Sequence, residues 1–197
     1  GSAYENGDVN IPSPEALFRN ILYGTDYFKD KFDCRSEDIY LPDCFGFGWA
    51  LPSIMAHSNL KGFITQKLVW SGAYGVPFDL GVWRGPDGAG VYAAPDVGDY
   101  NRSLAKVRKK GSVARRLRAN IKKYDLPFTM VLHGIGDRGG APREKSVKAV
   151  LGEARVNSSH KVDVIPAHTD QLFRDMDSLL TVEQKAGLRV WANELVM

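Results

Sequence analysis

Apolar positions along the chain recur at two periods, one helical and one extended. In "SPEALFRNILYGTDYFKDKF", residues 13–32, Leu17, Ile21 and Leu22 form an apolar stripe at helical spacing. Ser13 is placed to cap that helix, and Pro14 falls at its first position, where the missing N–H costs nothing. "DIYLP", residues 38–42, reads as a short strand. "WALPSIMAHSN" reads as a helix ending near Asn59, and "KGFITQKLVW" as a strand. Residues 79–94, "DLGVWRGPDGAGVYAA", fold back as a hairpin or loop excursion around "GPDGAG". Basic helices follow over residues 102–124, then a strand at 127–132 within "PFTMVLHG" and the helix "REKSVKAVLGEAR". A strand at 161–165 within "KVDVIP" and the helix "TDQLFRDMDSLL" complete the pattern. This alternation predicts an α/β fold, a mostly parallel sheet with flanking helices.

The predicted order has a functional consequence, because ligand sites in parallel α/β folds lie beyond the carboxyl ends of the strands. Asp43 follows the strand at 39–42, His133 and Asp137 follow the strand at 127–132, and His168 and Asp170 follow the strand at 161–165. Three strand ends are therefore expected to bring acids and imidazoles to one edge of the sheet.

Composition narrows the partners. The chain has 197 residues, 44% hydrophobic and 11% aromatic, enough to fill the core of one domain. No apolar run reaches the length of a membrane span, and no signal peptide opens the sequence. Gly1 and Ser2 read as a cloning scar, so the compartment stays open. A net charge of +3 names no partner. The basic segment "RSLAKVRKKGSVARRLRANIKKY" has only Tyr124 for stacking, whereas nucleic-acid binders interleave aromatics with their cations. Leu104, Val107, Leu117 and Ile121 instead recur at helical spacing, so its lysines and arginines read as the wet face of helices broken at Gly111. Neither nucleic acid nor membrane is expected as a partner. Cys34 and Cys44 lack metal-ligand spacing and read as ordinary thiols.

Asp43 carries the sharpest question. It stands where the strand "DIYLP" runs out, after Pro42 and before Gly46 and Gly48. It is either a turn or cap residue, with backbone N–H groups on its carboxylate, or a rigidly aimed nucleophile or metal ligand. A carboxylate acting at a sugar centre needs a second carboxyl group to protonate the leaving oxygen. Asp137 in "GIGDRGGAP" is the candidate for that second group, with an Asx-turn residue as the alternative. That glycine-rich loop lacks the Lys-Ser/Thr pair of a phosphate loop and does not match GxGxxG, so nucleotide binding is not expected. Trp70, Tyr74, Phe78 and Trp83, interleaved with Gln66, Lys67, Arg84 and Asp87, suit either a sugar site or a packed core. His57 reads as structural. The sequence contains neither a nucleophilic Ser or Cys motif nor HExxH.

The run "YLPDCFGFGWALPSIMAHSNLKGFITQKLVW" resembles the central motif of glycoside hydrolase family 38, the α-mannosidases. That motif has an Asp followed one residue later by Phe-Gly, then a Leu-Pro helix, then a strand ending in Gln/Arg-Lys and Trp. Further matches are "GDVNIPSPEALFRNILYGTDYF", "VWRGPDGAGVYA", "HGIGDRGGAPRE" and "VWANELVM", spanning nearly the whole chain in the right order. The resemblance implies part of a (β/α)7-type barrel catalytic domain from a zinc-dependent retaining enzyme that hydrolyses α-linked mannose from glycans. It implies Asp43 as both nucleophile and zinc ligand, and Asp137 as acid/base in a loop matching the family's "GDGGG". Trp70, Trp83, Arg84 and Asp87 are the expected substrate-binding residues.

The departures are specific. Arg138 replaces a glycine of the family loop. No His-x-Asp pair stands at the start of the sequence, where the family carries its zinc pair, and His133, His160 and His168 do not match its zinc histidine. The sequence therefore reads as a middle part of a family 38 catalytic domain, inactive when isolated. The rival readings are a non-catalytic carbohydrate-binding or degenerate module, and a hydrolase or deacetylase acting on another sugar on a related barrel.

Overall fold

A computed structural model describes residues 1–70, 75–98, 100, 112–136, 139–155 and 162–197. The chain divides into two compact units, Gly1–Val97 with Thr169–Met197, and Gly98–His168.

In chain order the elements are α1 (Pro14–Phe32), β1 (Asp38–Tyr40), β2 (Gly46–Phe47), α2 (Leu51–His57), β3 (Gly62–Ile64), a 3-10 turn (Lys67–Trp70), β4 (Gly81–Arg84) and β5 (Gly90–Ala94). They continue with α3 (Ser112–Tyr124), α4 (Glu144–Ala154), α5 (Gln171–Leu179), α6 (Val182–Ala186), β6 (Val190–Trp191) and β7 (Leu195–Val196).

The first unit is built on a five-stranded sheet in the order β1-β3-β5-β4-β6. β1, β3 and β5 are mutually parallel, β4 runs antiparallel to β5, and β6 is parallel to β4. The sheet is mixed and mostly parallel, as the pattern predicts. Among the described residues it is open, with β1 and β6 at its edges, and no closed barrel is seen. β2 and β7 form a separate antiparallel pair.

α1 forms as its sequence dictates. Ser13 Oγ accepts from the Ala16 N–H at 3.3 Å, Pro14 opens the first turn, and Asp33 ends the helix in the left-handed region. Leu17 and Ile21 are buried, but Leu22 is exposed, so the inward stripe is narrower than the spacing suggests. The core gathers Leu17, Ile21, Ile39, Phe47, Met55, Phe63, Trp83 and Val91. Phe63 lies between Phe47 and Trp83, with ring centroids 4.9 and 5.0 Å away.

The second unit departs most from expectation. Residues 127–132, expected as a strand, are irregular, as are 162–165 of the second expected strand; residue 161 lies outside the described residues. A strand persists only when its N–H and C=O groups find a ladder partner, and this unit offers none among its described residues. α3 matches the later half of the basic segment, but Ile121 is exposed while Ala114 and Asn120 are buried. Asn120 donates from Nδ2 to the Phe128 carbonyl at 3.0 Å, so a polar contact replaces the expected apolar one. Leu104, Val107 and Gly111 lie outside the described residues. No helix among the described residues is long and apolar enough to cross a membrane.

Candidate functional site

The carboxyl ends of β1, β3 and β5 share one edge of the sheet, since Tyr40 is paired with Ile64 and Ile64 with Ala94. Asp43 stands three residues beyond β1 on that edge, and Lys67 three residues beyond β3.

Successive contacts join the two segments. Leu41 N–H donates to the Ile64 carbonyl at 3.0 Å, extending the parallel ladder by one residue. Thr65 Oγ1 donates to the Leu41 carbonyl at 2.7 Å, and Gln66 Nε2 to the Pro42 carbonyl at 2.9 Å. Lys67 Nζ then lies 2.5 Å from Asp43 Oδ1. The Lys67 side chain is 3% exposed and that of Asp43 is 70% exposed. An ammonium withdrawn from water is costly unless a countercharge meets it, and Asp43 supplies one. Lys67 also lies 5.0 Å from the centroid of the exposed Phe45 ring. Asp43 is thus a solvent-facing carboxylate held from behind by a buried cation. Cys44 is no rival nucleophile, because burial, with Asp8 and Asp43 adding to it, pushes its thiol pKa upward.

Other expected site residues lie elsewhere. Arg84 is paired with Gly90, and Gly90 precedes the edge residue Ala94 by four positions. The turn carrying Asp87 therefore lies more than about 13 Å along the strand axis from the edge that carries Asp43. Asp87 accepts from Ser53 Oγ at 2.5 Å and from Ala89 N–H at 3.0 Å, and His57 Nε2 lies 2.7 Å from its other oxygen. These bonds, that from Ser53 foremost and that from His57 next, lower its pKa to about 2. Asp87 is a clasp between α2 and the hairpin, and His57 is its partner. Trp83 is fully buried, and its indole N–H donates to the Asn193 carbonyl at 2.8 Å, so no face is open to a sugar. Trp70 ends the 3-10 turn that Lys67 begins. Tyr74 and Asp137 lie outside the described residues.

Asp170 and the two histidines have other partners or surroundings. Asp170 is buried at the start of α5, 2.6 Å from Arg174 Nη2, and accepts from the Glu37 N–H at 3.2 Å. Glu37 precedes β1, so Asp170 braces the amino edge of the sheet, opposite Asp43. In the second unit, His133 Nε2 lies 2.7 Å from Ser146 Oγ on α4, and His168 is exposed. Neither follows a strand. Among the described residues no three His, Cys, Asp or Glu side chains stand together as metal donors, so these residues do not by themselves make a zinc site.

Sequence reasoning placed Lys67 among the polar groups of a sugar site or core without pairing it with Asp43, and it assigned no role to Trp191. A cleft of about 290 Å³ is lined by Leu68, Pro77, Trp191, Asn193, Glu194 and Leu195, with the Trp191 indole N–H donating to the Glu194 carbonyl at 2.9 Å. A lysine inside the apolar run "ITQKLVW" was the available signal for the first.

Comparison with known proteins agrees with this architecture. A family model described as the glycosyl hydrolases family 38 N-terminal domain matches residues 1–194. Alpha-mannosidase G of Dictyostelium discoideum is 34% identical over 143 residues, 72% of this chain and 13% of that protein. An alpha-mannosidase of Saccharomyces cerevisiae is 28% identical over 200 residues, 99% of this chain and 18% of that protein. The crystal structure of an alpha-mannosidase from Enterococcus faecalis V583 superposes with a TM-score of 0.67 at 19% identity, covering 99% of this chain and 22% of that one. The chain spans less than a fifth of the length of these curated relatives.

Proposed function

The chain belongs to glycosyl hydrolase family 38, within its N-terminal domain, and from that premise we propose that it is part of an α-mannosidase acting on mannose-containing glycans, with Asp43 as the nucleophile of a retaining reaction. The observation that carries this reading is the Asp43–Lys67 pair, an exposed carboxylate aimed by a buried ammonium 2.5 Å away. In the first half-reaction an Asp43 oxygen bonds to the anomeric carbon while the glycosidic bond breaks and a general acid protonates the leaving oxygen. Water, deprotonated by the same group, then attacks the glycosyl ester and releases the sugar with Asp43 restored. Asp137 is proposed as that acid/base. Zinc donors besides Asp43 are proposed to come from other parts of the parent protein, so the isolated chain neither binds zinc tightly nor turns over α-mannosides.

Asp43→Ala in the full-length parent tests the reading. Turnover of α-mannosides should be abolished, with zinc content falling alongside it. A loss of only a few-fold with zinc retained would reduce Asp43 to a turn residue.

A further inference from the structure

We propose that Gln66 is a positioning residue that sets the aim of Asp43 by fixing the Pro42–Asp43 peptide plane, an inference that rests on Asp43 being the nucleophile. A nucleophile is useful only if its carboxylate arrives in one orientation, and that orientation follows from the backbone beneath it. Three peptide units lead from β1 to Asp43, and each is held. Leu41 N–H bonds to the Ile64 carbonyl, which fixes the first unit. Thr65 Oγ1 holds the Leu41 carbonyl, which belongs to the second. Gln66 Nε2 holds the Pro42 carbonyl, which belongs to the peptide joining Pro42 to Asp43. The pyrrolidine ring fixes φ of Pro42, so holding its carbonyl fixes ψ as well. The remaining freedom lies chiefly in the side-chain torsions of Asp43, and Lys67 takes up one carboxylate oxygen.

Burial argues that Gln66 is more than filler. Its side chain is wholly buried, and its Oε1 has no hydrogen-bond partner among the described residues. An unsatisfied buried acceptor is destabilising, and an apolar side chain of similar volume would avoid that cost. What such a replacement lacks is the N–H donor on the Pro42 carbonyl. A glutamate fails differently, setting two acceptors against each other.

The test compares Gln66→Met, Gln66→Glu and Asp43→Ala in the full-length parent, reading kcat, KM and melting temperature for each. Misplacing a reacting group by about an ångström costs on the order of 100-fold in rate. Both Gln66 variants are therefore expected to lose roughly 10- to 100-fold in kcat with KM within about twofold. If Gln66→Met does not fold, Gln66→Glu keeps volume and polarity and carries the same expectation. A lowered melting temperature with kcat unchanged, in a parent that Asp43→Ala inactivates, would overturn the positioning role and leave the nucleophile standing. Activity retained by Asp43→Ala would overturn both. A rise in KM at constant kcat would make Gln66 a substrate contact and would also overturn the proposal.

Discussion

Lys67 Nζ lies 2.5 Å from Asp43 Oδ1, a contact between a lysine side chain that is 3% exposed and an aspartate that is 70% exposed. The pair is asymmetric: the cation is fixed by packing and the anion faces solvent. Lys67→Met in the full-length parent should therefore leave a folded protein, because the freed carboxylate stays hydrated, while kcat falls at least about tenfold. Lys67→Arg keeps the charge but needs more room, and should recover part of the loss. Steady-state kinetics with circular dichroism checks this. Full activity in Lys67→Met would remove the ammonium from the account.

The Asp87 clasp has a pH signature. Its carboxyl falls from an ordinary value of 3.8 to about 2 in the folded chain, chiefly through the Ser53 hydroxyl and then His57. A depressed carboxyl stabilises the folded state fully above its unfolded value and loses that effect as pH falls through the folded one. The stability difference between the chain and Asp87→Ala, measured by urea denaturation, should be constant above about pH 4 and shrink towards zero near pH 2. A difference that persists unchanged to pH 2 would mean that packing, not the charged clasp, holds the hairpin to α2.

Asp137 is tested through its substrates. Under the proposed acid/base role in the parent, its replacement by alanine should slow poor leaving groups far more than activated aryl mannosides, whose departure needs little protonation. Added azide should restore turnover by attacking the stranded glycosyl-enzyme. Equal slowing across leaving groups in a folded, zinc-replete variant would move the role to another residue.

What was legible in the sequence is what local chemistry decides. Ser13 and Pro14 start α1, the glycines of "GPDGAG" turn the hairpin, and Asp43 follows a strand that forms. What was not legible depends on topology. Arg84 and Asp87, expected as substrate-binding residues, lie at the opposite edge from Asp43 because β4 runs antiparallel to β5. Alternation along β4 buries Trp83 and exposes Arg84, but composition alone does not say which tryptophans pack. "PFTMVL" is apolar enough for a strand, yet it has no partner strand among the described residues and is irregular. Asp170 reads as a strand-end acid and instead anchors α5 to the backbone before β1, more than a hundred residues away. The Lys67 contact crosses two strands, and its register lies in the β1–β3 pairing rather than in either segment.

The proposed retaining reaction requires that Asp43 become covalently glycosylated. Incubating the full-length parent with a fluorinated mannosyl fluoride, whose electron-poor ring slows hydrolysis of the ester more than its formation, should trap that species. Peptide mass spectrometry is then expected to find one glycosyl group on the peptide containing Asp43, assigned to its carboxylate by fragmentation and lost in Asp43→Ala. A stoichiometric adduct on a different carboxylate, with Asp43 unmodified, would contradict the account.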